Sequence, residues 1–193
     1  MQTSITSNFA VVGNSRVHYL QAGVPTSPAV IFLHGASFNS HTWLGLKTLE
    51  LLGKKGYYAV AVDLPGFGST MRGGTLSGSG FLSSIFDALD VKKPVLVSPS
   101  MSGNFSLPLV AKQPELLTAF VAVAPVGIPQ HQDELKGNAL PTLAIWGGKD
   151  RIVPAFHQDL LSQVMTNVEK VTLDQAGHAC YMNAPEQFHK HLL

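Results

Sequence analysis

Apolar residues recur along the chain in two periods. Ala29–Leu33, Tyr57–Val62, Thr118–Ala124 and Pro141–Trp146 are nearly continuous apolar runs, as expected of strands buried on both faces of a parallel sheet. Pro94–Val97 and Glu169–Leu173 read as further strands. Between the runs, apolar positions take helical spacing. Trp43, Leu46, Leu49 and Leu52 share one face of a helix predicted over Thr42–Lys55, which Gly56 stops. Similar reasoning predicts helices over Phe81–Leu89, Met101–Lys112, Ala155–Met165 and Pro185–Leu193, the last with proline in its first turn. At the start, Phe9–Val12 and Arg16–Leu20 flank Gly13-Asn14-Ser15, a hairpin signal for a sheet edge. The Gly/Ser-rich stretch Thr70–Gly80 reads as a mobile surface loop.

Strands that alternate with helices after an opening hairpin predict an α/β fold. Its sheet is mostly parallel, with helices on both faces. The length of 193 residues, with no internal repeat or boundary signal, predicts one domain over 1–193. Hydrophobic residues make up 45% and charged residues 13%, so a sizeable core is expected. A net charge of +1 with no dense basic run argues against nucleic acid or an anionic membrane as partner. One cysteine, Cys180, excludes an internal disulfide. Met1–Asn8 is polar and no apolar run has spanning length, so a soluble, cytoplasmic protein is expected.

The chemistry concentrates at Ser98-Pro99-Ser100-Met101-Ser102-Gly103, where a buried strand runs into a helical pattern. A nucleophile elbow cramps the backbone, so small residues must stand two before and two after the nucleophile. Ser98 and Ser102 meet that need around Ser100, although glycine is the usual flank. Serine-dependent acyl transfer also needs a base for the hydroxyl proton, an acid to orient the base, and donors for the oxyanion. Asp150 and His178 each follow a strand, as Ser100 does, which puts all three where ligands bind in a parallel sheet. Their chain order is Ser, Asp, His.

Over nearly its whole length the chain resembles an α/β-hydrolase without a large cap. His34-Gly35 resembles the family's oxyanion-loop motif, and Asp63-x-Pro-Gly-Phe-Gly-Ser69 its turn after the next strand. Trp146-Gly-Gly-Lys-Asp150-Arg-Ile-Val-Pro154 resembles the acid loop and Gly177-His178 the histidine loop. The elbow, with Gly177-His178-Ala179-Cys180-Tyr181 and Pro185-Glu186, is similar to the small lidless α/β-hydrolase domain-containing protein 14 group. A member of that group is associated with removing acetyl groups from lysine and passing them to coenzyme A. The resemblance implies Ser100 as nucleophile, His178 as base and then acid, and Asp150 as its orienting carboxylate. It implies the backbone N–H groups of Ala36 and Met101 as oxyanion donors. No cofactor is required for hydrolysis, and coenzyme A is an expected acyl acceptor. The expected partner is a small acyl substrate or an acylated protein side chain.

Rival assignments are open at several positions. Ser98 and Ser102 are alternative hydroxyls, and Asp174 lies only four residues before His178. Asp63 reads as structural, bonding its own Pro-Gly turn, and His34 as an organiser of its loop. Cys180 reads as a small buried residue rather than a reactive thiol. Phe38, Trp43 and Tyr181 are candidates to line an acyl pocket, with core packing the alternative for Trp43. No residues have metal-ligand spacing. The short Pro125–Leu140 span is not enough for a cap, so an open site is expected. The competing functional class is a binding protein on a hydrolase scaffold.

Overall fold

The computed structural model describes residues 4–72 and 78–193. One sheet contains β1 (Thr6–Val12), β2 (Ser15–Ala22), β3 (Ala29–Phe32), β4 (Tyr58–Val62), β5 (Val95–Pro99), β6 (Ala119–Val123), β7 (Thr142–Gly147) and β8 (Val168–Leu173). Their order across the sheet is β1-β2-β4-β3-β5-β6-β7-β8. The opening hairpin and the β2–β4 pair are antiparallel, and the remaining pairs are parallel. The apolar runs explain this placement. All of β4 is buried, as a central strand covered on two faces must be, whereas β1 at the edge exposes most of its residues.

Helices α1 (His41–Gly45), α2 (Thr48–Lys54), α3 (Ser79–Ala88), α4 (Gly103–Lys112), α5 (Ile128–Leu135), α6 (Phe156–Val164), α7 (Cys180–Asn183) and α8 (Pro185–Leu192) form the outer layers. One core joins Ile31, Val60, Leu96, Phe120 and Trp146 to α3, α4, α5 and α6. The other joins Phe32, Val97, Val121 and Ile145 to Trp43, Leu49, Leu52, Tyr181 and Phe188. Odd and even positions of the same strands feed opposite cores, so each strand is a shared wall. The connection after β3 leads to β4 on one side, and that after β5 leads to β6 on the other. A crevice at the carboxyl ends of β3 and β5 follows from this divergence.

Three local expectations change. The helix predicted over Thr42–Lys55 is two helices, because Lys47 takes a left-handed conformation (φ 59°) between them. Trp43 and Leu49 still enter the same core, so the apolar spacing survives the break and hides it. The Pro125–Leu140 span contains α5, started after Gly127 at φ 97° and with Pro129 in its first turn. This helix packs beside α4 and α6 in the helical layer and forms no cap. The Thr70–Gly80 stretch lies partly outside the described residues. At its described ends, Thr70 is buried and accepts the His18 N–H at 2.9 Å, and α3 begins at Ser79.

Candidate active site

Ser100 stands where β5 ends and a single 3₁₀ turn, Ser100–Ser102, leads into α4. Its φ is +52°, a region that non-glycine residues seldom occupy. The surroundings impose it. Ser102 Oγ donates to the Pro99 carbonyl at 2.7 Å, which commits its proton. Ser98 therefore donates to Ser102 at 2.9 Å, and Ser106 donates to Ser98 at 2.7 Å. The serines that replace the usual glycine flanks are thus buried with their hydroxyls mutually satisfied. From the other side, Val126 N–H donates to the Ser100 carbonyl at 2.9 Å. That segment comes so close that a Cβ on Gly103 would lie 2.2 Å from the Val126 oxygen.

His178 Nε2 lies 2.7 Å from Ser100 Oγ, and its Nδ1 lies 2.8 Å from Asp150 Oδ2. The other Asp150 oxygen accepts the N–H groups of Ile152 and Val153 at 2.8 and 3.0 Å. An acceptor-only carboxylate leaves the proton on Nδ1, so Nε2 is free to accept the Ser100 hydroxyl proton. The Asp150 side chain is 1% exposed and that of His178 21%, so the carboxylate is buried and the histidine is partly exposed. Two glycines let the acid and histidine loops meet backbone to backbone. A Cβ on Gly147 would lie 2.1 Å from the Gly177 oxygen, and one on Gly148 would lie 2.7 Å from the Asp174 oxygen. Asp150, not Asp174, is the carboxylate on His178.

The loop after β3 closes the third side. Leu64 N–H donates to His34 Nε2 at 2.9 Å, so the ring proton is on Nδ1, which donates to the Gly35 carbonyl at 2.8 Å. Across the planar trans peptide the Ala36 N–H points opposite to that carbonyl, away from the His34 ring. Burial pushes the His34 pKa down, which favours this neutral form. A Cβ on Gly35 would sit 3.7 Å from Ser100 Cβ, so this loop lies directly against the serine. Gly35, Ala36, Phe38, Ser100, His178 and Tyr181 are among the residues around a cavity of about 200 Å³, together with Val123 and Ile152. Met101, the other expected donor, follows Ser100 in the 3₁₀ turn, and its side chain packs against the core.

The family model described as the alpha/beta hydrolase family matches residues 30–134, which hold the loop after β3 and Ser100. The chain belongs to the α/β-hydrolase family. Within that family it is similar to proteins of the ABHD14 group. It is 40% identical over 192 residues to Protein ABHD14A of Mus musculus, covering 94% of this chain and 76% of that protein. It is 36% identical over 172 residues to the human protein named "Putative protein-lysine deacylase ABHD14B", covering 86% and 81%. Among solved structures, one described as a predicted CIB-like hydrolase from Thermoplasma acidophilum superposes with a TM-score of 0.94 at 23% identity. It covers 98% of this chain and 96% of that one, a likeness of fold.

Several contacts around the site were not visible as sequence motifs. Asp63 does more than hold its own turn. It accepts the Ser69 N–H at 2.8 Å, as expected, but also the Ser40 N–H at 2.7 Å, and it pairs with the buried His18 at 2.8 Å. The loop carrying Gly35 and Ala36 is therefore tied at His34 and at Ser40 to the single turn Asp63–Leu64. Trp43 is core and not pocket lining. It donates to the Leu33 carbonyl at 2.7 Å and stacks on Tyr181, ring centroids 4.9 Å apart, so it backs a residue that lines the cavity. Cys180 is fully buried, and burial pushes its thiol up to about 12. Among the described residues no cluster of side chains has the composition to hold a metal ion, and no helix is long and apolar enough to cross a membrane.

Proposed function

We propose that this chain is a serine-dependent acyl hydrolase or acyltransferase acting on an ester, thioester or amide. The observation that carries the reading is the unbroken relay Ser100–His178–Asp150, with the serine in a left-handed turn at the mouth of a small cavity. Ser100 Oγ attacks the acyl carbon while its proton passes to His178 Nε2. Asp150 keeps His178 in the correct tautomer and stabilises the imidazolium. The N–H groups of Ala36 and Met101 hold the oxyanion. His178 then protonates the leaving group, an acyl-Ser100 ester remains, and an acceptor activated by the same ring releases it.

The cavity of about 200 Å³ is below the usual range for drug-sized ligands, so it suits a short acyl group. Among the described residues no element caps the crevice, so the rest of the substrate stays outside. A small acyl group on a bulky carrier, such as a lysine side chain of a protein, matches this shape. The name of the human relative makes acyl-lysine the first substrate class to try, with coenzyme A or water as acceptor. The test is turnover of p-nitrophenyl acetate and of an acetyl-lysine peptide, with and without coenzyme A. Turnover that Ser100→Ala reduces by the order of 10⁶-fold supports the reading. Undiminished turnover by that variant sinks it. Acetyl release that ignores added coenzyme A leaves water as the acceptor. A folded protein with no turnover on any acyl donor would indicate a binding protein on a hydrolase scaffold.

A further inference from the structure

A second Ser–His–Asp chain lies on the opening hairpin. The Ser7 hydroxyl is 2.9 Å from His18 Nε2, and His18 Nδ1 is 2.8 Å from Asp63 Oδ2. Asp63 also accepts two backbone N–H groups, from Ser40 at 2.7 Å and Ser69 at 2.8 Å, as Asp150 does from Ile152 and Val153. Burial pushes the Asp63 carboxyl up, but these N–H groups and the paired His18 side chain help to outweigh it, so its pKa lies below the ordinary carboxyl value. The carboxylate accepts only, so Nδ1 keeps its proton and Nε2 takes the Ser7 O–H.

The register makes this arrangement a property of the sheet. Phe9 lies opposite His18 and Ser7 opposite Leu20, which sets Ser7 and His18 as diagonal neighbours on one face. The His18 side chain is 4% exposed. The ring makes an edge contact with Phe9 (centroids 5.3 Å apart, interplanar angle 62°) and stacks on His41 (6.1 Å, interplanar angle 10°). Ser7 itself is exposed. A fixed, buried base therefore points at a hydroxyl that reagents can reach. The likeness to Ser100 stops at the backbone. Ser7 lies in a regular strand, which supplies no helical turn of N–H groups for an oxyanion.

We propose that Ser7 is a second nucleophilic serine, a self-acylation site that accepts acyl groups from aryl esters or thioesters. Ser7 Oγ bonds to the acyl carbon and the bond from that carbon to the leaving oxygen or sulfur breaks. The hydroxyl proton passes to His18 Nε2 and from there to the departing phenolate or thiolate. The products are O-acyl-Ser7 and a phenol or thiol. Without an oxyanion site, water removes the acyl group slowly, so the ester accumulates to one per chain instead of turning over. This site is independent of the chemistry assigned to Ser100.

The test uses the full chain carrying Ser100→Ala, treated with p-nitrophenyl acetate and followed by peptide mapping. Exposed Ser4 lies on the same chain segment and is the internal standard, separated from Ser7 by fragment ions. Ser7 should be acetylated at least about tenfold faster than Ser4. Adding His18→Gln should slow Ser7 by about 10²-fold and leave Ser4 unchanged. Acetylation of Ser7 no faster than Ser4 overturns the proposal, as does a Ser7 rate unchanged by His18→Gln in a folded protein. Where His18→Gln does not fold, the Ser7 to Ser4 ratio in the Ser100→Ala protein decides alone.

Discussion

At the residue scale, the site depends on proton positions that neighbours dictate. Asp150 has two backbone N–H groups on one oxygen and His178 on the other. Asp150→Asn keeps the shape but presents an amide that can donate, which favours the wrong His178 tautomer. The expected loss in kcat toward an activated ester is about 10⁴-fold, measured beside a melting curve that shows the variant folded. His34 and Asp63 set a pH dependence. Burial lowers the His34 pKa, so the unfolded chain binds its proton first. The stability from neutral His34 is complete above the ordinary imidazole value and is lost as pH falls below it. Asp63 is also depressed, so its contribution is present above the ordinary carboxyl value and is lost as pH falls towards the depressed one. Melting temperature should therefore fall as pH is lowered from about 7.5 to about 5, beginning near about 6.5. A melting temperature that rises on acidification over this range contradicts the His34 assignment, whereas the Asp63 contribution is lost only at lower pH, below the ordinary carboxyl value. Cys180, buried and with its thiol raised to about 12, should resist iodoacetamide in the folded protein and react once denaturant is added.

At the scale of elements, two glycines hold the site's loops together. A Cβ on Gly103 would sit 2.2 Å from the Val126 oxygen, and one on Gly68, at φ 53°, would sit 2.0 Å from the tightly held Asp63 carboxylate. Each alanine variant should lose about 2–4 kcal/mol by denaturant melting. Gly45→Ala is the control, because beyond its chain neighbours and the helix backbone no atom lies within 4 Å of its added Cβ, and it should change stability little. The strands were legible because a strand buried on two faces writes itself as an apolar run. The elbow was legible because a cramped turn restricts residue type on both sides of Ser100. The break at Lys47 was hidden, since a left-handed residue between two helices leaves the apolar face intact. Helix α5 was hidden by the polar residues between its buried ends, Ile128 and Leu135. The His18–Asp63 pair spans 45 positions, and only the β2–β4 register brings it together. A single histidine in an alternating strand carries no local mark of that.

For the whole molecule, the divergence of connections at β3 and β5 creates one crevice. The loop after β3, the β5 elbow, the acid loop after β7 and the histidine loop after β8 all converge there. The described helices cover the faces of the sheet, and α5 packs beside its neighbours; on the proposed reading this leaves a bulky carrier outside while a short acyl group enters. Peptide-borne acetyl groups should accordingly be processed with little dependence on carrier size. Longer acyl chains on the same carrier should lose kcat/KM once they exceed the cavity of about 200 Å³.

The central claim is that Ser100 is activated through His178. The most direct measurement is intact mass followed by peptide mapping after exposure to a broad fluorophosphonate. The account predicts an adduct on Ser100 that disappears when His178 is replaced by alanine. A folded protein that leaves Ser100 unmodified, or an adduct there that persists in His178→Ala, would contradict it.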